Sequence, residues 1–136
     1  MIDAKDTGGR FALVQHLFAP RALAAPMHRH RDEDEYTYVL EGQIGAILGG
    51  QEFVAGPGDL IFKPRNQWHT FWNAGDTPAS VLEIISAAGL EGLFRELGEV
   101  TAELEPQELA RMAARYGCEL DFDATGPVVA RHGLHF

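Results

Sequence analysis

Three histidines and one glutamate stand in two separated places of this chain, at the spacing of ligands to a single metal ion. The first place reads His28-Arg29-His30 and, after a charged stretch, Glu35; the second is His69 within Trp68-His69-Thr70-Phe71-Trp72. Side chains alternate across a strand with period two, so His28 and His30 face the same side of one strand. Glu35 opens the apolar run Tyr36-Thr37-Tyr38-Val39-Leu40 and is expected to start the next strand, beside the first. A lone histidine in a strand is ordinarily a surface or core residue, and an acidic patch such as 32–35 is ordinarily a solvated turn. With six histidines in 136 residues, however, chance fills three chosen positions with His only about once in twenty thousand sequences. Three neutral imidazoles and one carboxylate suit one divalent transition metal ion, whether iron, manganese, nickel, copper or zinc. They leave one or two coordination positions for water, dioxygen or a substrate oxygen, as an open catalytic site requires. Glu35 is then both a ligand and the candidate catalytic residue, able to accept a proton from a substrate hydroxyl. By parity Thr37 and Phe71 face inward with Glu35 and His69 and are the candidate substrate-pocket residues; Trp68 and Trp72 read as core.

Short strand-like runs must position these ligands. They fall at 11–19, 24–30, 35–41, 43–48, 51–55, 59–63, 68–73 and 79–86, divided by Pro20, Gly42, Gly49-Gly50, Gly56-Pro57-Gly58, Pro64 to Gln67 and Gly75 to Pro78. Gly49-Gly50 predicts a two-residue hairpin, because a type I′ turn needs positive φ at both positions. Eight such strands predict an all-β fold, a small sandwich or closed barrel, over residues 1–88. Beyond it the period changes. Leu90, Leu93, Phe94 and Leu97 recur at helical spacing, as do Leu109, Met112, Ala113 and Tyr116 behind Pro106, with Gly98 and Gly117 as expected helix stops. Residues 89–136 are therefore expected to form a helical extension packed on the outside of the barrel. The stretch from Asp121 to Phe136, interrupted by Gly126-Pro127, reads as a tail, a dimer arm or a cover over the barrel mouth, and His132 and His135 in it read as solvated side chains.

At the ligand positions the chain resembles the cupin superfamily. His28, His30, Glu35 and Gly42 fill the first cupin signature, and Gly58, Pro64, His69 and Asn73 fill the second. Ala22 and Asn66 stand where the signatures have glycines; Asn is the residue besides Gly that best tolerates positive φ. The resemblance covers about residues 20 to 88 and implies a double-stranded β-helix, or jelly-roll barrel. The segments 34–42 and 63–73 are similar to quercetinase-like cupins, small bacterial single-domain ones included. That resemblance implies a metal-dependent dioxygenase acting on a small aromatic or flavonol-like substrate, with His28, His30, Glu35 and His69 holding the ion, Glu35 taking the substrate proton, and Thr37 and Phe71 shaping the pocket. It also implies a homodimer, for which Phe11-Ala12-Leu13-Val14 is a candidate edge needing cover.

Composition narrows the partners. Eleven basic against twenty acidic residues give a net charge of −9, which disfavours nucleic acid and anionic membrane surfaces. The polar N-terminus, the absence of a long apolar run and the single cysteine, Cys118, predict a cytoplasmic protein without disulfides. No fused DNA-binding segment is expected, and no serine-histidine-acid set, phosphate loop or dinucleotide fingerprint competes with the metal ligands. Two alternatives stay open: another metal-dependent enzyme, an isomerase or decarboxylase in which Lys63 or Arg65 anchors a substrate carboxylate, and a non-enzymatic small-molecule binding protein.

Overall fold

All eight predicted runs form strands in the computed structural model, which describes residues 1–136. After a short helix α1 (Ala4–Thr7) come β1 (Ala12–Phe18), β2 (Met27–His30), β3 (Asp34–Glu41), β4 (Ile44–Leu48), β5 (Gln51–Ala55), β6 (Leu60–Lys63), β7 (His69–Asn73) and β8 (Ala79–Ser86). Helices α2 (Glu91–Glu99) and α3 (Pro106–Ala114), strand β9 (Cys118–Asp121) and helix α4 (Phe122–His132) follow. The strands make two antiparallel sheets, β1-β8-β3-β6 and β5-β4-β7-β2-β9, the architecture of a double-stranded β-helix. A core of Val39, Ile44, Ala46, Ile61, Phe71 and Val81 fills the space between them. β2 starts three residues later than its apolar run suggests, because Pro26 brings no N–H to a ladder.

Turn chemistry follows the sequence closely. Gly49 and Gly50 have φ of 53° and 83° in the β4–β5 hairpin, and Asn66 takes the left-handed conformation at φ 63° where the signature has glycine. Gly42 is needed twice over: its φ is 80°, and a Cβ there would lie 2.7 Å from the Ala79 Cβ.

One expectation about the ligand strands is overturned. β3, which carries Glu35, does not lie beside β2; it pairs with β8 and β6 in the opposite sheet. Both edges of β2 are already occupied, by β7 through His28 opposite His69 and by β9 through His30 opposite Cys118. Arg31 N–H then donates to the Gly117 carbonyl and prolongs the β2–β9 ladder, so the chain crosses to the other sheet before Glu35.

The C-terminal helices also sit differently from a simple outer layer. The apolar faces of α2 and α3 place Leu90, Leu93 and Ala113 against Ala12, Val14 and Ile85, residues on the inner side of the four-stranded sheet, so the helices roof one end of the barrel. Over that end the apolar stripes of both helices meet apolar strand residues and lose their water-exposed surface. Gly98 lies in the last turn of α2 and does not stop it, whereas Gly117, at φ 70°, turns the chain from α3 into β9. Residues 118–136 prove structured throughout their length. Asp121 caps α4 by accepting from Ala124 N–H at 2.9 Å, and Val128 and Leu134 pack with Leu23, Met27 and Trp72. That packing carries the helix through Pro127, which the sequence marks as a breaker. No helix is long and apolar enough to cross a membrane.

Candidate metal centre

Strand pairing brings His28 and His69 face to face across β2 and β7, and the period-two alternation puts His30 on the same side as His28. Glu35 reaches the same point from β3 in the facing sheet. The four side chains are 1% to 4% exposed, and one potential ligand atom from each lies within 4.8 Å of the others. Imidazole centroids are 4.1 to 5.4 Å apart. His30 Nε2 is 3.4 Å from Glu35 Oε1, and His69 Nε2 is 3.3 Å from Glu35 Oε2.

The ring orientations are set from behind. His28 Nδ1 is 2.7 Å from the Pro26 carbonyl and His69 Nδ1 is 3.0 Å from the Gln67 carbonyl. A carbonyl only accepts, so each Nδ1 carries the hydrogen and each Nε2 keeps its lone pair. His30 Nδ1 and Nε2 and His69 Nε2 are buried without a hydrogen-bond partner. Buried orphan nitrogens cost free energy unless something satisfies them, and a convergent set of three imidazoles and a carboxylate is what a divalent transition metal would satisfy. The residues present fit such an ion.

Charge follows the same arrangement. Burial, reinforced by the neighbouring His69 and His30, holds the His28 pKa well below 6.5, and burial lowers that of His69 too. Burial also works against charge on His30, but Cys118 and the Glu35 carboxylate outweigh it and raise its pKa to about 10. For Glu35, burial is opposed by the Lys63 ammonium and by His30 and His69, and the carboxyl is held well below its usual range. The metal-free cluster therefore keeps one proton on His30 beside an ionised Glu35.

Behind Glu35 lies a second polar group, formed by Lys63 and Thr37 with Glu83, of which the sequence reading passed over Glu83. Lys63, 1% exposed, places Nζ 3.1 Å from Glu35 Oε2 and donates to Glu83 Oε1 at 2.6 Å, while Thr37 Oγ1 donates to Glu83 Oε2 at 2.8 Å. Thr37 thus points inward, as parity requires, but it serves Glu83 and is not among the residues lining the cavity. Lys63 stands 4.1 Å from the Phe71 ring centroid. The signal was available: Glu83 is the lone charge in Ser80-Val81-Leu82-Glu83-Ile84-Ile85, at the parity of buried Val81 and Ile85. Neither candidate anchor for a substrate carboxylate is free, since Lys63 is held by two carboxylates and Arg65 lies outside, paired with Asp34 at 2.7 Å. The terminal histidines are apart from the site: His132 pairs with Glu52 and His135 Nε2 is 2.9 Å from the Pro20 carbonyl.

A cavity of about 320 Å³ opens from the ligands toward the roof. Phe71 and Phe18 line its barrel side, Leu93, Phe94 and Leu97 of α2 and Leu109 of α3 its roof, and no Lys or Arg faces it. The roof helices therefore build the wall of the chamber beside the ligands.

Residues 14–85 match the family model of the cupin domain. The chain is 26% identical over 110 residues to tetracenomycin polyketide synthase protein TcmJ from Streptomyces glaucescens, a match spanning 81% of this chain and 72% of that protein. It is 30% identical over 95 residues to quercetin 2,3-dioxygenase from Bacillus subtilis, across 70% of this chain but only 28% of the relative. Among solved structures, a sugar phosphate isomerase from a cupin superfamily, from Silicibacter pomeroyi, superposes with a TM-score of 0.55 at 27% identity, over 61% of this chain and 55% of that one. A predicted oxalate decarboxylase from Thermotoga maritima superposes with a TM-score of 0.61 at 20% identity, over 64% and 76% of the two chains, a likeness of fold alone.

Proposed function

The chain belongs to the cupin family, and on that footing we propose that it is a metal-dependent dioxygenase acting on a small aromatic or flavonol-like substrate. One observation carries the reading: a buried cluster of four candidate ligands, with imidazole nitrogens left unpaired, opens through His28, His30 and Glu35 onto a cavity whose walls are largely apolar and aromatic. His28, His30, Glu35 and His69 would hold one divalent ion of iron, manganese, nickel, copper or zinc. When bound, the ion supplies Lewis acidity toward a ligand oxygen and, if redox-active, a route to dioxygen. Glu35 is the proton acceptor. Lys63 keeps it ionised and weakly basic, so it takes a proton only from an acidified hydroxyl. Phe71 and Phe18 meet edge to face at 5.9 Å and give a flat ring an aromatic wall, faced by the apolar side chains of the roof helices.

The likeness to part of quercetin 2,3-dioxygenase supports this reading. A sugar phosphate is a poorer fit, because no free cation faces the cavity to meet a phosphate. Simple ligand binding without turnover would use the same cavity, and oxygen uptake separates the two. Metal-loaded protein is expected to consume dioxygen with quercetin well above the rate of the free ion; uptake no faster than the free ion removes the proposal. A homodimer belongs to the same reading. β1 is an edge strand, and Leu17, Leu60 and Phe62 on the outer face of its sheet are 76%, 57% and 48% exposed, an apolar surface suited to a second copy. A monomeric mass in solution would remove that part.

A further inference from the structure

The cavity has a short polar inventory. Of its lining polar side chains, His28, His30 and Glu35 belong to the metal cluster, Glu83 is held by Lys63 and Thr37, and the Cys118 thiol is engaged with His30. That leaves His16. It occupies an inward position of β1, in register with buried Ala12 and Val14, and lies on the cavity wall between barrel and roof. Its ring stacks on Phe18 at 5.8 Å and 23° and takes the edge of Phe94 at 5.2 Å and 85°. These contacts orient the imidazole, and its ring nitrogens make no hydrogen bond within the protein.

We infer that His16 is a substrate-recognition residue, hydrogen-bonding an oxygen of a planar aromatic ligand at a point remote from the oxygens that approach the metal ligands. The inference rests on the aromatic-substrate reading above and narrows it to aromatics carrying at least two separated oxygen groups. Burial, aided by the Lys63 charge and opposed by Glu35, lowers the His16 pKa, so the ring is neutral and offers one donor and one acceptor. In a cavity with no other free polar side chain, a ligand hydroxyl at that wall has one protein side chain to meet, and a ligand lacking it leaves the imidazole dry and unpaired.

The test uses zinc-loaded full-length protein, its metal content confirmed by elemental analysis, with quercetin and 3-hydroxyflavone as probes. Both share the ring system and the metal-facing oxygens, and only quercetin carries additional hydroxyls. Wild type is expected to bind quercetin about five- to tenfold more tightly, the worth of about one hydrogen bond. His16→Phe preserves the aromatic contacts and should bring the ratio to about one, whereas His16→Gln should restore part of it. In wild type labelled with ¹⁵N-histidine, quercetin should shift the His16 ring nitrogens and 3-hydroxyflavone should not, a readout that needs no variant to fold. An unchanged ratio in His16→Phe, or unmoved His16 nitrogens with quercetin bound, overturns the inference and leaves the proposed function standing. Failure of the zinc-loaded wild type to bind either flavonol removes both.

Discussion

Two buried polar clusters sit side by side in this barrel and differ in one respect. Lys63, Glu83 and Thr37 satisfy one another, two carboxylate oxygens against one ammonium and one hydroxyl, while the imidazoles of His28, His30 and His69 converge with nitrogens left over. Both are about equally buried, so burial does not tell scaffold from site; the count of unmet partners does. Glu35 belongs to both, with one side toward the histidines and the other toward Lys63.

The strongest way to break this contrast is to open the closed cluster. Lys63→Met leaves Glu35 and Glu83 buried without their counter-charge and should cost about 3 to 5 kcal/mol in urea unfolding. Lys63→Met with Glu83→Gln should recover most of that loss, and a double variant as unstable as the single one would mean the pair is not a self-contained unit. The open cluster should respond in the reverse manner. His69→Ala should leave the metal-free protein folded but abolish stoichiometric metal in elemental analysis, along with about 2.7 kcal/mol of metal-dependent stabilisation at free ion a hundredfold above the dissociation constant. Stoichiometric metal retained in that variant would place the site elsewhere.

The same open cluster also sets a pH dependence. The His30 pKa in the folded, metal-free protein, about 10, exceeds the ordinary 6.5. The stabilisation it brings is complete below about 6.5 and fades as pH rises through about 10. Metal binding must expel that proton, so between pH 7 and 9 the apparent affinity should rise about tenfold per unit. Zinc titration calorimetry in two buffers of different ionisation enthalpy measures the proton released; a value near zero would show His30 neutral beforehand.

Much of this was legible in the residues. The eight strands, the hairpin at Gly49-Gly50 and the left-handed Asn66 follow from local pattern and turn chemistry, which act within a few residues. The four candidate ligands stand out in the sequence because two of them share a strand and all are chemically distinctive, and the fold brings them together. What stayed hidden depends on contacts between distant segments. The sheet that receives Glu35 is decided by which edges of β2 are taken, and one of those is taken by β9, four residues with no strong strand pattern. The helix over 122–132 persists past Pro127 because Val128 and Leu134 bury themselves near Trp72, a tertiary gain that local propensity does not encode. His16 stands beside Gln15 in an otherwise apolar strand and Glu83 is the lone charge in its strand, and only the assembled cavity distinguishes them from ordinary core substitutions.

The origin of the ligands in two facing sheets has a mechanical consequence. An ion held by His28, His30 and His69 on one side and Glu35 on the other would act as a cross-brace between the sheets at the roofed end of the barrel. Part of its binding free energy would then resist separation of the sheets, and the stiffness of each sheet would in turn set how well the four ligands keep their spacing. Substitutions in the interior far from any ligand, such as at Ile44 or Val81, would register as changes in metal affinity as well as in stability.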